Sequence, residues 1–309
     1  MMAKVFIDGS SGTTGLRIRE RLAERNDIEL IQVPYEQRHD PQVRKDAIAK
    51  SDITFLCLPD DAAKESAALA SGSDAVVIDT STAHRTSEGW VYGLPELVGQ
   101  KEKIRTSKRI ANPGCHATGF IALIEPLIAA GMIPDDLFLG CTSLTGYSGG
   151  GKKMIAQYED EGRDELLDAP RLYGLTQNHK HLKEMKALTK LVYEPAFQPV
   201  VSDFYSGMET IIPLFREQIK ADKADIIALY RELYKDGMIR YQDFAKDGMI
   251  SAAAMKGRDD LLVHVEGNDE RILLCAVFDN LGKGASGAAI QNMNIVLGID
   301  EAYGLVKGE

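Results

Sequence analysis

The chain has 309 residues, 44% of them hydrophobic and 27% charged, which excludes a disordered polymer and leaves room for two domains or one large one. A net charge of −10 excludes the broad basic face that nucleic acids and membrane surfaces require, so neither is expected as a partner. The cysteines Cys57, Cys115, Cys141 and Cys275 are widely spaced with no C-x-x-C pair, which excludes a disulfide framework and a structural zinc site and fits a reducing cytoplasm.

In chain order, Lys4 to Asp8 reads as a strand, Gly12 to Arg25 as a helix and Glu29 to Pro34 as the next strand. The apolar run Val5-Phe6-Ile7 is too short for a secretory signal, and no stretch approaches the length of a membrane span. Ile53 to Leu58 and Ala75 to Asp79 supply two more β-branched runs around a helix-prone Asp61 to Ser71. Short apolar runs alternating with amphipathic segments predict βαβ units on a parallel sheet covered on both faces. Thr118 to Ala130 reads as a helix, and Gly146 to Gly151 opens a polar, loop-rich stretch to about Lys180. Ala187 to Met208 and Glu209 to Leu214 look strand-rich, Lys220 to Leu233 is a periodic helix, and Leu261 to Glu266 with Arg271 to Phe278 reads as a hairpin across Gly267-Asn268-Asp269. Ala285 to Leu297 reads as a helix returning to the first domain. The expected fold class is therefore α/β, a Rossmann-type parallel-sheet nucleotide-binding domain over 1–116 plus about 284–309, with a second domain over 117–283.

Gly9-Ser10-Ser11-Gly12-Thr13-Thr14-Gly15 follows a strand and opens a helix, the setting a dinucleotide phosphate loop requires. Glycine lets the backbone approach a pyrophosphate, and the helix N-terminus offers unpaired N–H groups. After the second strand come Glu36, which suits the ribose hydroxyls of NAD, and Arg38 and His39, which suit the 2′-phosphate of NADP. The balance favours NADPH/NADP+.

Asn112-Pro113-Gly114 is turn chemistry, and it delivers Cys115 to a helix start. A thiol there has its thiolate stabilised by the helix dipole. Cys57 and Cys275 sit inside apolar runs and read as core fillers; Cys115 does not, because its neighbours are turn formers and polar residues. A thiolate paired with a nicotinamide suits the capture of an activated acyl carbon as a thioester.

With these residues in view, the chain resembles the shorter subclass of the N-acetyl-γ-glutamyl-phosphate reductases, within the aspartate-semialdehyde dehydrogenase-like superfamily. The resemblance runs through the GSSGTTG loop, Asp79 to Arg85, Tyr92 to Glu96, the NPGC box, Ser148 to Lys152, Asn178 to His181, and Lys283 to Asn294, in that order. It implies NADPH-dependent reduction of N-acetyl-γ-glutamyl phosphate to N-acetylglutamate γ-semialdehyde in arginine biosynthesis, with release of inorganic phosphate. It further implies an α+β substrate and dimerisation domain and a homodimer or homotetramer. Cys115 would be the nucleophile and His179 or His181, with His181 favoured, the acid/base. Arg85 would meet a substrate carboxylate or phosphate, its competing role being an ion pair with Asp79. Tyr92, Glu96, Ser148 and Gly149 complete the substrate set. The cofactor set comprises the loop residues from Gly9 to Gly15, Arg38, Pro59, Ser81, Asn280, Gln291 and Asn292, the last three being amides suited to the nicotinamide carboxamide. No metal is expected. His116 departs from the family, which more often has Tyr there; it either tunes the thiol or faces water. Lys183 stands where the family has Pro.

Reductases of aspartyl and aminoadipyl phosphates share this chemistry, and one methylene gives only about 1 to 3 kcal/mol of discrimination. A cofactor-free cysteine hydrolase is the competing class, opposed by the glycine loop. A non-catalytic NADP-binding regulator would be expected to lack Cys115 or both histidines.

Overall fold

A computed structural model describes residues 2–243 and 248–308. Contacts among them divide the chain into two compact units, Met1–Pro113 with Ala285–Leu305, and Gly114–Gly284 with Val306–Glu309.

The first unit alternates strands and helices: β1 (Ala3–Asp8), α1 (Thr13–Ala23), β2 (Ile28–Ile31), α2 (Pro41–Lys50), β3 (Ile53–Leu56), α3 (Asp60–Leu69), β4 (Val76–Asp79), β5 (Val91–Tyr92), α4 (Gln100–Thr106) and β6 (Arg109–Ala111). The strands form a parallel sheet in the order β2-β1-β3-β4-β6-β5. Both faces are covered, so the strands are apolar throughout. Val5, Ile7, Phe55 and Ile78 pack on one face with Ile18 and Leu22 of α1, while Phe6, Leu56 and Val77 pack on the other with Ala47 and Ile48 of α2. The helix expected over Ala285 to Leu297 is, in its α-helical part, Gly287–Val296. Its Ile290 and Met293 join the first of those clusters. Asp40 caps α2 by accepting from the backbone of Gln42 and Val43, with Pro41 at the first helical position.

The second unit runs α5 (Cys115–Ala129), β7 (Gly140–Gly146), α6 (Gly151–Glu159), β8 (Arg171–Leu172), α7 (Leu182–Thr189), β9 (Ala196–Ser202), β10 (Met208–Phe215), α8 (Lys223–Leu233), β11 (Ile239–Tyr241), β12 (Leu261–Gly267) and β13 (Arg271–Phe278). Gly287–Val296, in the first unit, is α9. The second unit's mixed sheet has the order β11-β12-β13-β10-β7-β9-β8. Helix α5 packs on β10 and β13. Gly119 permits that approach, since a Cβ there would lie 2.4 Å from Thr210 Oγ1. Pro126 sits inside α5 and has no N–H to give the Ala122 carbonyl; the Tyr234 hydroxyl donates to that carbonyl at 2.7 Å, and the Tyr230 hydroxyl donates to the Leu123 carbonyl.

Two expectations need correction. The stretch after Gly151 contains α6 rather than loops alone, and α7 occupies the first part of what reads as a strand-rich segment from Ala187. In α7 the buried Leu182, Met185 and Thr189 recur at helical spacing, which a search for β-branched runs overlooks. The hairpin forms as expected: Gly267 has φ +85, and the Asn268 side chain accepts from the backbone of Glu270 and Arg271. Among the described residues no helix is long and apolar enough to cross a membrane.

Candidate active site

In the first unit the glycine loop leaves β1 and enters α1. Gly9 has φ +88, and a Cβ on it would lie 2.3 Å from the Cys57 carbonyl oxygen; one on Gly15 would lie 2.4 Å from the Gly9 carbonyl oxygen. Neither position admits a side chain. No side chain caps α1, so the N–H groups of its first turn at Thr13, Thr14 and Gly15 are available to an anion. A cavity of about 680 Å³ opens at the C-terminal ends of β1, β2 and β3, lined by Gly9, Ser10, Ser11 and Gly12 and, across it, Pro59 and Ala62. Arg19, Arg38, His39 and Arg44 also line it, whereas Glu36 does not. Asp8 and Glu65, the partners of Arg44, line it as well. The Arg38 guanidinium lies over the Tyr35 ring at 3.5 Å and donates to the Tyr35 carbonyl at 2.6 Å. Arg44, which sequence reasoning missed because its helix is charged and weakly periodic, is buried against Asp8. The glycine cradle and these cations fit a phosphorylated dinucleotide.

At the end of β4, Asp79 is fully buried. It accepts from the Ser81 backbone at 2.9 Å and the Ser81 hydroxyl at 2.8 Å, and pairs with His84 Nδ1 at 2.6 Å. Ser81 thus stands in this cluster, outside the lining of the cavity. The Thr80–Arg85 loop is folded by it, and Arg85 donates to the carbonyls of Asn112 at 3.0 Å and Thr80 at 3.3 Å. Tyr92 is buried, with its carbonyl accepting from Gln100 at 2.6 Å. Gln291 donates to both Glu96 and Glu301 at 2.8 Å. Asn292 donates to the Gly93 carbonyl at 2.9 Å, and its own Oδ1 is buried without a hydrogen-bond partner. An orphaned acceptor of this kind suits a carboxamide N–H.

In the second unit Cys115 is the first residue of α5, three residues earlier than the helix start read from the sequence. It is half-buried, and Gly114 before it contributes no side-chain cap, so the thiol occupies the positive end of a helix. Burial pushes the Cys57 and Cys275 thiols up to about 12, and Cys141 is raised by the same cause; these three are held as thiols. Glu184 on α7, also missed in the sequence, is buried and accepts from the Gly114 N–H at 3.1 Å while its other oxygen lies 3.9 Å from His181 Nε2. One carboxylate therefore holds the Cys115 turn by a hydrogen bond and stands close to a histidine.

His179 and His181 lie in a turn preceding α7, not in an extended segment; their rings meet edge to face at 4.7 Å. His181 occupies the N-cap position, but its ring does not cap the helix. His116 does not face water: it is 2% exposed, and burial, reinforced by His179 and Lys180, lowers its pKa to about 3. Ser148 is buried in the turn Tyr147–Gly150, with its hydroxyl accepting from Asn280 Nδ2 at 3.0 Å; Gly149 beside it is exposed. Asn280 also accepts from the Gly207 N–H at 2.8 Å, so both ends of its amide are engaged within this unit. Among the described residues no group of three or more His, Cys, Asp or Glu could hold a metal ion.

Residues 4–107 match the family model of the semialdehyde dehydrogenase NAD binding domain, and 115–280 that of the semialdehyde dehydrogenase dimerisation domain. An N-acetyl-gamma-glutamyl-phosphate reductase of Allorhizobium ampelinum is 45% identical over 96% of this chain and 99% of its own, and one of Mesorhizobium japonicum 44% identical over 97% and 100%. Among solved structures, aspartate semialdehyde dehydrogenase II of Vibrio cholerae, complexed with ASA, superposes with a TM-score of 0.71 at 17% identity, covering 96% of this chain and 98% of that one. Aspartate semialdehyde dehydrogenase of Candida albicans, with NADP, gives 0.67 at 15% identity over 96% and 99%. At such identities these structures speak for the fold alone.

Proposed function

The chain belongs to the N-acetyl-gamma-glutamyl-phosphate reductases of the semialdehyde dehydrogenase family, and on that premise we propose that it reduces N-acetyl-γ-glutamyl phosphate to N-acetylglutamate γ-semialdehyde with NADPH, releasing inorganic phosphate. The observation that carries the reading is Cys115 as the opening residue of α5, a position that favours thiolate. The Cys115 sulfur attacks the acyl carbon, the C–O bond to phosphate breaks, and a thioester remains on the enzyme. When bound, NADPH supplies the hydride that reduces that thioester carbonyl. The resulting thiohemiacetal expels the Cys115 sulfur to give the aldehyde, and His181 or His179 exchanges the proton with the departing groups. Glu184 beside His181 Nε2 favours His181 for that task. Arg85 meets the substrate carboxylate or the phosphate, and the Ser148-Gly149 turn offers backbone donors to the substrate.

The cofactor rests on the loop from Gly9 to Gly15, with Arg38 facing the 2′-phosphate and Arg44, paired with Asp8, supporting the loop. Asn292 offers its unpaired oxygen to the carboxamide. The second unit would pair with another copy of the chain across the sheet face carrying Phe215 and Leu273, 54% and 39% exposed; both alternate with buried neighbours on β10 and β13. A reactive thiol of this kind supports a reducing cytoplasm as the compartment in which the enzyme works.

The test is a panel of N-acetylglutamate, aspartate and aminoadipate semialdehydes, each assayed for phosphate-dependent oxidation with NADP+ and with NAD+. The reading expects N-acetylglutamate semialdehyde with NADP+ to give the highest kcat/KM. Preference for another semialdehyde overturns the substrate.

A further inference from the structure

His116 follows Cys115 in the first turn of α5, yet both of its ring nitrogens are engaged in the interior. Nδ1 shares a 2.7 Å hydrogen bond with Ser143 Oγ on β7, and Nε2 shares one of 2.7 Å with the Tyr173 hydroxyl. Ser143 Oγ lies 3.3 Å from Thr210 Oγ1 on β10, extending the row. The ring also stands 5.6 Å from His179, 5.6 Å from His181 and 5.2 Å from Phe197, centroid to centroid. Tyr173 in turn stands 6.0 Å from His179. Three imidazoles and a phenol thus form one cluster, with His116 tying it to the sheet.

A neutral imidazole has one N–H and one lone pair. It cannot donate to both Ser143 and Tyr173, so the direction of one bond sets the direction of the other. Burial keeps the Tyr173 hydroxyl protonated, and the nearby Cys115 acts the same way. A protonated phenol gripped at its oxygen by a ring that is itself fixed to the sheet loses its freedom to swing, and the histidines packed against both are held with it.

We propose that His116 is a positioning residue, which through its two ring nitrogens anchors Tyr173 to Ser143 and thereby fixes the His179–His181 pair next to the Cys115 turn. This rests on the reading of Cys115 as nucleophile. The residue that departs from the family pattern has a defined task here: the imidazole reaches two hydroxyls at once, one on each side.

Three full-length variants test it: His116→Asn, which keeps the Ser143 reach and loses the Tyr173 one, His116→Gln, which extends to the Nε2 position, and Tyr173→Phe. The readouts are kcat and KM with N-acetylglutamate semialdehyde, the pH profile of Cys115 alkylation by iodoacetamide without substrate or cofactor, and NADPH binding as a check on the fold. Expected are NADPH binding as in the wild type, a loss of about tenfold in kcat for H116N and Y173F with KM within about threefold, and partial recovery of kcat in H116Q, which regains the Tyr173 contact without the Ser143 one. The double variant H116N/Y173F should lose no more than the worse single one, since both remove the same bond. The alkylation profile should move in H116N and move less in H116Q. Wild-type kcat with an unmoved profile in H116N, or losses that multiply in the double variant, overturns the proposal. Should H116N fail to bind NADPH, H116Q and Y173F decide: a smaller loss in the first than in the second supports it, and equal loss in both overturns it. Should the wild type not act on this semialdehyde at all, the substrate reading falls while the alkylation profiles still decide the role of His116.

Discussion

The Asp8 carboxylate, at the last residue of β1, accepts from Arg44 Nε at 3.0 Å, with both side chains buried to within 7% exposure. Ser66 donates to the same carboxylate oxygen at 2.6 Å, and Arg44 Nη1 reaches Glu65 at 3.0 Å. The pair joins β1, α2 and α3 behind the glycine loop. Removing one partner of a buried pair strands the other charge, at a cost of about 3 to 5 kcal/mol. Arg44→Met is therefore expected to lower the urea midpoint and to weaken NADPH binding as the loop loses its support. An unchanged midpoint would contradict the role given to this pair.

Arg38 faces the cavity where Glu36 does not. Arg38→Ala should weaken NADPH by about 10- to 100-fold, the worth of one charge-assisted contact to phosphate, and leave NADH nearly unchanged. Fluorescence titration with both nucleotides measures this; equal loss for both would remove Arg38 from the 2′-phosphate site.

Gly9 tests the cradle. Its φ of +88 and the 2.3 Å approach of a Cβ to the Cys57 carbonyl make Gly9→Ala costly by at least about 2 kcal/mol. A fall in Tm and loss of NADPH binding are expected; a variant that binds NADPH normally would show that the backbone need not come so close.

Two buried groups give opposite pH signatures. Burial raises the Glu209 carboxyl from its ordinary 4.5 to about 7, so the stability it contributes is present below pH 4.5 and lost as pH rises through 7. Glu209→Gln should gain on the wild type between those values, read as a growing difference in urea midpoints; a constant difference would contradict it. For His116, lowered from 6.5 to about 3, the contribution is present above pH 6.5 and lost as pH falls through 3. His116→Asn should accordingly show a shallower loss of stability in acid.

Much of the fold is legible along the chain because the parallel strands, buried on both faces, stand out as apolar runs such as Val5-Phe6-Ile7 and Val76-Val77-Ile78. Helix α2 is not legible: of its residues only Arg44, Ala47 and Ile48 are buried, and an arginine does not register as core. Cys115 is legible as a helix-start thiol from the turn before it. The partners around it are not, because they come from far along the sequence: Glu184 meets Gly114 from 70 residues away and Tyr173 meets His116 from 57. Local pattern holds no record of such pairings. The burial of His116 follows from them, which is why the sequence leaves open whether that ring faces water.

Cys115→Ser separates nucleophilic catalysis by the thiol from cofactor binding. The variant should bind NADPH with wild-type affinity and show no phosphate-dependent reduction of NADP+ by N-acetylglutamate semialdehyde. Wild-type turnover in Cys115→Ser would contradict the mechanism outright.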